Sequence, residues 1–382
     1  MIYLDAAATT PVRREALEAM WPYLTGSFGN ASSHHSLGDE AGRALSSARA
    51  RVAAAIGARA GEIIFTSGGT EADNLAIKGM ALASPRGRHI VTTPIEHEAV
   101  LASCDYLLRQ HGFEISYVPV DRDGLVRLPD FAAALRSDTT LCTVMLANNE
   151  VGTIQPVAEL AAIARSGGIP FHTDAVQACG SLSLQVGELG VDAISLSGHK
   201  FGAPKGVGAL FLRSRFTVEP VLHGGGQERG RRSGTENVAG AVAMATALEM
   251  SQGEVQGKAE RLAALRDQLI EGVLANARGA ILTGHATQRL PNNASFCFPG
   301  TSGEAVLLQL EERGILCSSG SACAAGSDEP SHVLLAMGYS REVAQTAVRF
   351  TLTDDTTKEQ IQEVVLSVAE AVAAVGALGQ PR

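Results

Sequence analysis

Short apolar runs of β type alternate with helical patterns through the first part of the chain. The runs span residues 62–66, 89–92, 115–120, 140–146, 169–173, 193–197 and 208–212. Between them, apolar positions recur at helical spacing in residues 71–82, 100–110 and 157–165. Brief continuous runs separated by helices predict a large α/β domain, its mainly parallel seven-stranded sheet covered on both faces.

Helical stretches at residues 236–250 and 258–275 follow, and then the pattern changes. Strands at 294–298, 314–318 and 347–352, with helices at 303–313 and 358–373, predict a smaller α+β domain. We place the boundary near residue 255, with a large domain of residues 15–255 and a small one of residues 1–14 and 256–382. A chain of 382 residues with 45% hydrophobic content readily supplies both cores. The longest turn-rich stretches are 27–36, 222–235 and 318–330, and long ordered loops more often carry function than merely connect.

Charge and cysteine usage narrow the function classes. The net charge is -9 and the basic residues are scattered, apart from Arg229-Gly230-Arg231-Arg232, which disfavours nucleic acid. Met1-Ile2-Tyr3-Leu4-Asp5 lacks the basic, apolar start of a secretory signal, and no eighteen apolar residues run uninterrupted. A cytoplasmic protein without membrane contact is expected. The cysteines at 104, 142, 179, 297, 317 and 323 show neither paired metal-ligand spacing nor disulfide density, so no metal is expected.

Candidate chemistry clusters where strands end. Ser67-Gly68-Gly69-Thr70-Glu71 leaves a strand and opens a helix, where glycines and free N–H groups suit a phosphate; an ordinary turn capped by Thr70 or Ser67 is the alternative. Ser195-Leu196-Ser197-Gly198-His199-Lys200 ends another run. Lys200 is the candidate to form a Schiff base with an aldehyde cofactor, with Lys205 as its rival. Ser197 and His199 can donate to the phosphate. Asp174, in His172-Thr173-Asp174-Ala175-Val176-Gln177, can pair with a protonated pyridine nitrogen, as an electron-sink coenzyme requires, or can close an Asx-turn. Gln177 and Asn149 are placed to reach the ring's phenolic oxygen. His97 can stack on the ring and move protons. All of these lie at or just after the carboxyl ends of strands, the edge that binds ligands in parallel sheets.

In the small domain, Cys323 sits in the small-residue loop Cys317-Ser318-Ser319-Gly320-Ser321-Ala322-Cys323, where a thiol is accessible enough to take and pass on sulfur. Cys317 suits packing, with a Cys317–Cys323 redox pair as the alternative. Arg349 is a charge inside an apolar run, matched either to a substrate carboxylate or to a protein one.

Together with Asn148-Asn149-Glu150-Val151-Gly152 and Arg232-Ser233-Gly234-Thr235, these motifs resemble the NifS/IscS-type cysteine desulfurases. That group is a branch of the class V aminotransferases among the fold-type I pyridoxal-phosphate (PLP) enzymes, and the resemblance runs from Tyr3 to the final helix. It implies that Gly69, Thr70, Ser197, Gly198 and His199 hold the phosphate of pyridoxal 5'-phosphate and that Lys200 anchors it. Ring contacts would come from His97, Asn149, Asp174 and Gln177, with Asn149 and Arg349 near the substrate carboxylate. It further implies a homodimer in which Thr235 reaches the neighbouring subunit's phosphate. The implied reaction takes sulfur from L-cysteine to Cys323, leaving L-alanine, and passes it to an iron-sulfur scaffold or another acceptor protein.

Two segments depart from the family pattern: Ala31 stands where Pro is common, and Thr353-Asp354-Asp355 replaces a stretch that often holds Gly and Arg. Selenocysteine lyase, an aminotransferase, a kynureninase-like enzyme and a non-catalytic sulfur-trafficking scaffold are the competing functions.

Overall fold

The structure is a computed structural model and describes residues 1–83, 85–319 and 329–378. Its strands in chain order are β1 (Ile2–Tyr3), β2 (Ile63–Thr66), β3 (His89–Thr92), β4 (Glu114–Tyr117), β5 (Thr139–Thr143), β6 (Phe171–Asp174), β7 (Ala193–Ser197), β8 (Gly208–Leu212), β9 (Ile281–Thr283), β10 (Asn293–Cys297), β11 (Ile315–Leu316) and β12 (Ala347–Thr351).

Seven of them form one sheet in the order β2-β8-β7-β6-β5-β3-β4. Only β8 runs against the rest, pairing antiparallel with both β2 and β7, so β2 ends at the same edge as β3, β5, β6 and β7. Strands β5 to β8 are buried at every position, which is why they read as continuous apolar runs. One core, including Val91, Phe171 and Ile194, packs on one face, and another, including Ile64, Ile90 and Leu210, on the other.

A second, antiparallel sheet of order β12-β10-β9 and the parallel β1–β11 pair enclose a separate core that includes Leu4, Phe296 and Phe350. Helices Val238–Gly253 and Val255–Asn276 meet at Glu254. Helix Lys358–Leu378 runs further than its sequence pattern predicts. By length and composition it could cross a membrane, yet Ile361, Val364, Val368 and Ala371 are buried in that core. The departing segment has a local role: Asp354 pairs with Lys258 at 2.7 Å and Arg13 at 3.5 Å. Ala31 packs against the large core.

Several elements differ from the pattern reading. Helices Arg14–Thr25 and Ser36–Ala55 fall outside the expected elements; the second is rich in alanine, which leaves a weak periodic signal. β4 stops at Tyr117 and β11 is only Ile315–Leu316, both shorter than their apolar runs; past β11, Ser318 pairs instead with Arg349 of β12. The helix expected at 71–82 begins at Gly69 and passes through a π segment, Leu75–Gly79, into Met80–Ala83.

Candidate active site

Glycine sets the phosphate-side geometry. A Cβ on Gly69 would lie 2.8 Å from Val176 Cγ2 and 3.3 Å from the Ser197 Cβ, and one on Gly208 would lie 2.6 Å from Gly68 Cα. Only glycine lets these backbones approach so closely, bringing the loop after β2 against the end of β7. Thr70 is the second residue of helix Gly69–Asn74, whose opening N–H groups face that junction. Gly198 is packed against Ala203 and Val207 and contributes backbone alone.

Lys200 and its neighbours are organised by a segment that sequence reasoning passed over. The Lys200 Nζ donates to the carbonyl oxygens of Ala7 at 2.5 Å and Ala8 at 2.9 Å. Gln177 Nε2 donates to the same Ala7 oxygen at 3.0 Å. His199 Nδ1 lies 3.1 Å from Thr9 Oγ1, and Thr10 Oγ1 donates to the His199 carbonyl at 2.9 Å. The only sequence signal was the run of small residues Ala6-Ala7-Ala8-Thr9-Thr10, which lets the segment after β1 lie close to the lysine turn. Burial and the nearby lysines hold the His199 imidazole down at about 4, so at neutral pH it has a lone pair and an N–H to offer. Lys205, the rival anchor, is exposed in a turn.

Asp174 ends β6, buried, and its Oδ1 accepts from Val176 N–H at 2.9 Å, an Asx-type turn. Burial raises its pKa, opposed by the charges of His97 and Lys200. His97 caps helix Glu98–His111, its Nδ1 accepting from Ala99 N–H at 3.1 Å. Two buried acids not expected from the sequence stand nearby. Glu96, bonded to Thr93 and to Met145 N–H, is pushed up to about 8 by burial, and burial with the neighbouring Asp174 charge also raises Asp73.

The small-domain wall is built differently. Arg349 donates from Nη2 to Asp5 Oδ1 and from Nη1 to the Asn149 carbonyl, both at 2.9 Å, while its buried Nε has no partner among the described residues. Asn149 is held by its neighbour Asn148, whose side chain binds Ile95, Glu150 and Val151 backbones. The Cys317 thiol is driven to about 12, chiefly by burial, in a packing position. Cys323 lies outside the described residues. Thr235 is exposed, and its hydroxyl makes no hydrogen bond among the described residues. Its loop is fixed by Arg232 to Glu71 at 2.8 Å and by Arg49 to Glu228 at 2.5 Å. A cleft of about 800 Å³, lined by Lys200, Gln177, Thr10, Arg13 and Lys258, opens beside the lysine.

The donor set fits pyridoxal phosphate: a glycine-built cradle at a helix start, an amine at a strand end, and a buried carboxylate across from it. Fold and site together define a fold-type I PLP-dependent enzyme. The chain belongs to the aminotransferase class-V family, which it matches over residues 2–364. It is 51% identical to "Cysteine desulfurase IscS" of Dictyoglomus turgidum, over 94% of this chain and 91% of that one. It is 48% identical to "Cysteine desulfurase IscS" of Methanosarcina thermophila, over 97% and 92%. Among solved structures, a "NIFS-LIKE PROTEIN" superposes with a TM-score of 0.91 at 38% identity, covering 98% of this chain and 99% of the other.

Proposed function

We infer that the protein is a PLP-dependent cysteine desulfurase, turning L-cysteine and one of its own thiols into L-alanine and a persulfide. What carries this reading is the convergence of Lys200 and Gln177 on one carbonyl at the strand edge that also holds Asp174 and the glycine cradle. Bound there, the cofactor supplies an electron sink for the carbanion that forms next to the substrate's amino group.

In this reading Gly69, Thr70, Ser197, Gly198 and His199 hold the phosphate, while Asp174 faces the ring nitrogen, Gln177 and Asn149 the phenolic oxygen, and His97 the ring face. Lys200 attaches the cofactor and, once released, takes the substrate's α-proton on Nζ. Arg349 and Asn149 orient the substrate carboxylate. The Cys323 thiolate then attacks the substrate sulfur: the carbon–sulfur bond breaks, a sulfur–sulfur bond forms, and the carbon side gains the proton. No outside oxidant is needed, because cysteine plus thiol equals alanine plus persulfide.

An exposed Thr235 on a loop braced by two ion pairs supports a homodimer in which it completes the partner's phosphate site. The separate cores support domains of residues 15–255 and of 1–14 with 256–382. An iron-sulfur scaffold or similar acceptor protein in the cytoplasm would receive the sulfur.

The test is to supply L-cysteine and a dithiol to the yellow protein and measure alanine and sulfide in equal amounts. Alkylation and peptide mapping should place the persulfide on Cys323, and Cys323→Ser should abolish sulfide while leaving the colour. A protein that binds no PLP, or forms no alanine, would overturn the assignment.

A further inference from the structure

Around His172, two residues before Asp174 on β6, lie buried polar groups that take no part in the reaction above. Asp73, on the helix that opens with Gly69 and Thr70, is 1% exposed, and its Oδ1 has no hydrogen-bond partner among the described residues. His172 Nε2 lies 3.7 Å from that oxygen. That imidazole is committed elsewhere: Nδ1 lies 2.8 Å from Thr143 Oγ1 and Nε2 2.9 Å from Ser195 Oγ. Burial drives it down to about 3, so it is neutral and brings no charge to Asp73.

The groups facing Asp73 are Asp174 and His172 from β6, Ser195 from β7, and Glu96 from the segment ahead of helix Glu98–His111; the Ser195 hydroxyl favours the ionised form, and burial and the two acids outweigh it. Two of them are acids. Asp174 feels the positive charges of both His97 and Lys200, Glu96 feels that of His97, and Asp73 feels neither. Between two adjacent buried carboxyl groups, the proton stays on the one with no cation nearby, and an ionised oxygen without a partner is costly to bury.

We propose that Asp73 is a positioning residue for the cofactor: as a neutral carboxylic acid it holds the proton of the Asp73–Asp174 pair, so that the pair's single charge sits on Asp174, facing the ring nitrogen. The inference rests on the proposed Asp174–ring-nitrogen contact and deepens it. His172 and Ser195 keep the acid in place through the chain that begins at Thr143.

Asp73→Asn has the shape of the neutral acid and cannot ionise. In the PLP-loaded protein at neutral pH, infrared difference spectra between wild type and Asp73→Asn should show the loss of a protonated-carboxyl carbonyl band. The affinity of the apoprotein for PLP, by equilibrium dialysis, should stay within about twofold. Asp73 has a raised folded-state pKa, so its stabilising share is present at acid pH and lost as pH rises toward that value; Asp73→Asn should lose less melting temperature on alkalisation.

An unchanged carbonyl region, or PLP binding weakened about tenfold or more, would mean that Asp73 carries charge and would overturn the proposal. If the variant does not fold, wild type labelled with carbon-13 aspartate must still show a neutral aspartic acid in the holoprotein, and its absence would also overturn the proposal. Asp174→Asn tests the underlying contact separately. Wild-type PLP affinity and visible spectrum in that variant would sink the ring-nitrogen reading, while the infrared band still decides the state of Asp73.

Discussion

Two buried ionic groups lie within one large domain and are treated in opposite ways. Arg49 and Glu228 meet through two parallel bonds of 2.5 and 2.6 Å. Glu228 also accepts from Phe65 N–H, and Arg49 donates to the Ile63 carbonyl. Every charge there has its complement, and the pair pins the 222–235 loop to β2 through backbone at Glu228 and Arg229 with φ of 50° and 60°. Asp73, Glu96 and Asp174 instead bring acids together, with the neutral His172 beside Asp73, and burial raises all three. A matched buried charge builds scaffold, whereas an unmatched one is tolerated where a bound ligand of opposite charge can balance it.

The sharpest way to attack the unmatched side is Lys200→Ala. It should cost about 10²–10⁴-fold in alanine formation and remove the visible band of the attached cofactor. On the matched side, Glu228→Ala strands a buried guanidinium and should destabilise the fold by about 3–5 kcal/mol in denaturant titration. If the Glu228 change were nearly neutral, the distinction between the two groups would collapse.

A smaller effect separates them by pH. Glu96 has its folded-state pKa raised to about 8, so the stability it lends is full below its ordinary value and falls as pH climbs to about 8. Glu96→Gln should flatten melting temperature against pH across that window, while Glu228→Gln should lower stability without flattening it. Smallest of all, Arg14→Ala removes an ion pair whose side chains are 85% and 61% exposed and should stay within about 0.5 kcal/mol of wild type.

Much of the sheet was legible because its central strands are buried on both faces: β3, β7 and β8 follow their apolar runs residue for residue. Local motifs were legible for a related reason. A strand end followed by glycines, or by Gly-His-Lys, states its backbone geometry and its chemistry within a few residues. Helix Ser36–Ala55, rich in alanine, hid its period, and the pairing of Arg349 with Asp5, 344 residues apart, had no local signature.

By itself, the sequence determined the layered α/β architecture and the kinds of group presented at the sheet's edge, because burial and turn chemistry are written in short windows. Only the tertiary structure decided that Ala7 receives both Lys200 and Gln177, that Arg349 already has a partner, and that Asp73 lies beside His172. Those relations depend on distance and dielectric between residues far apart in the chain, and such quantities exist only once the chain has folded.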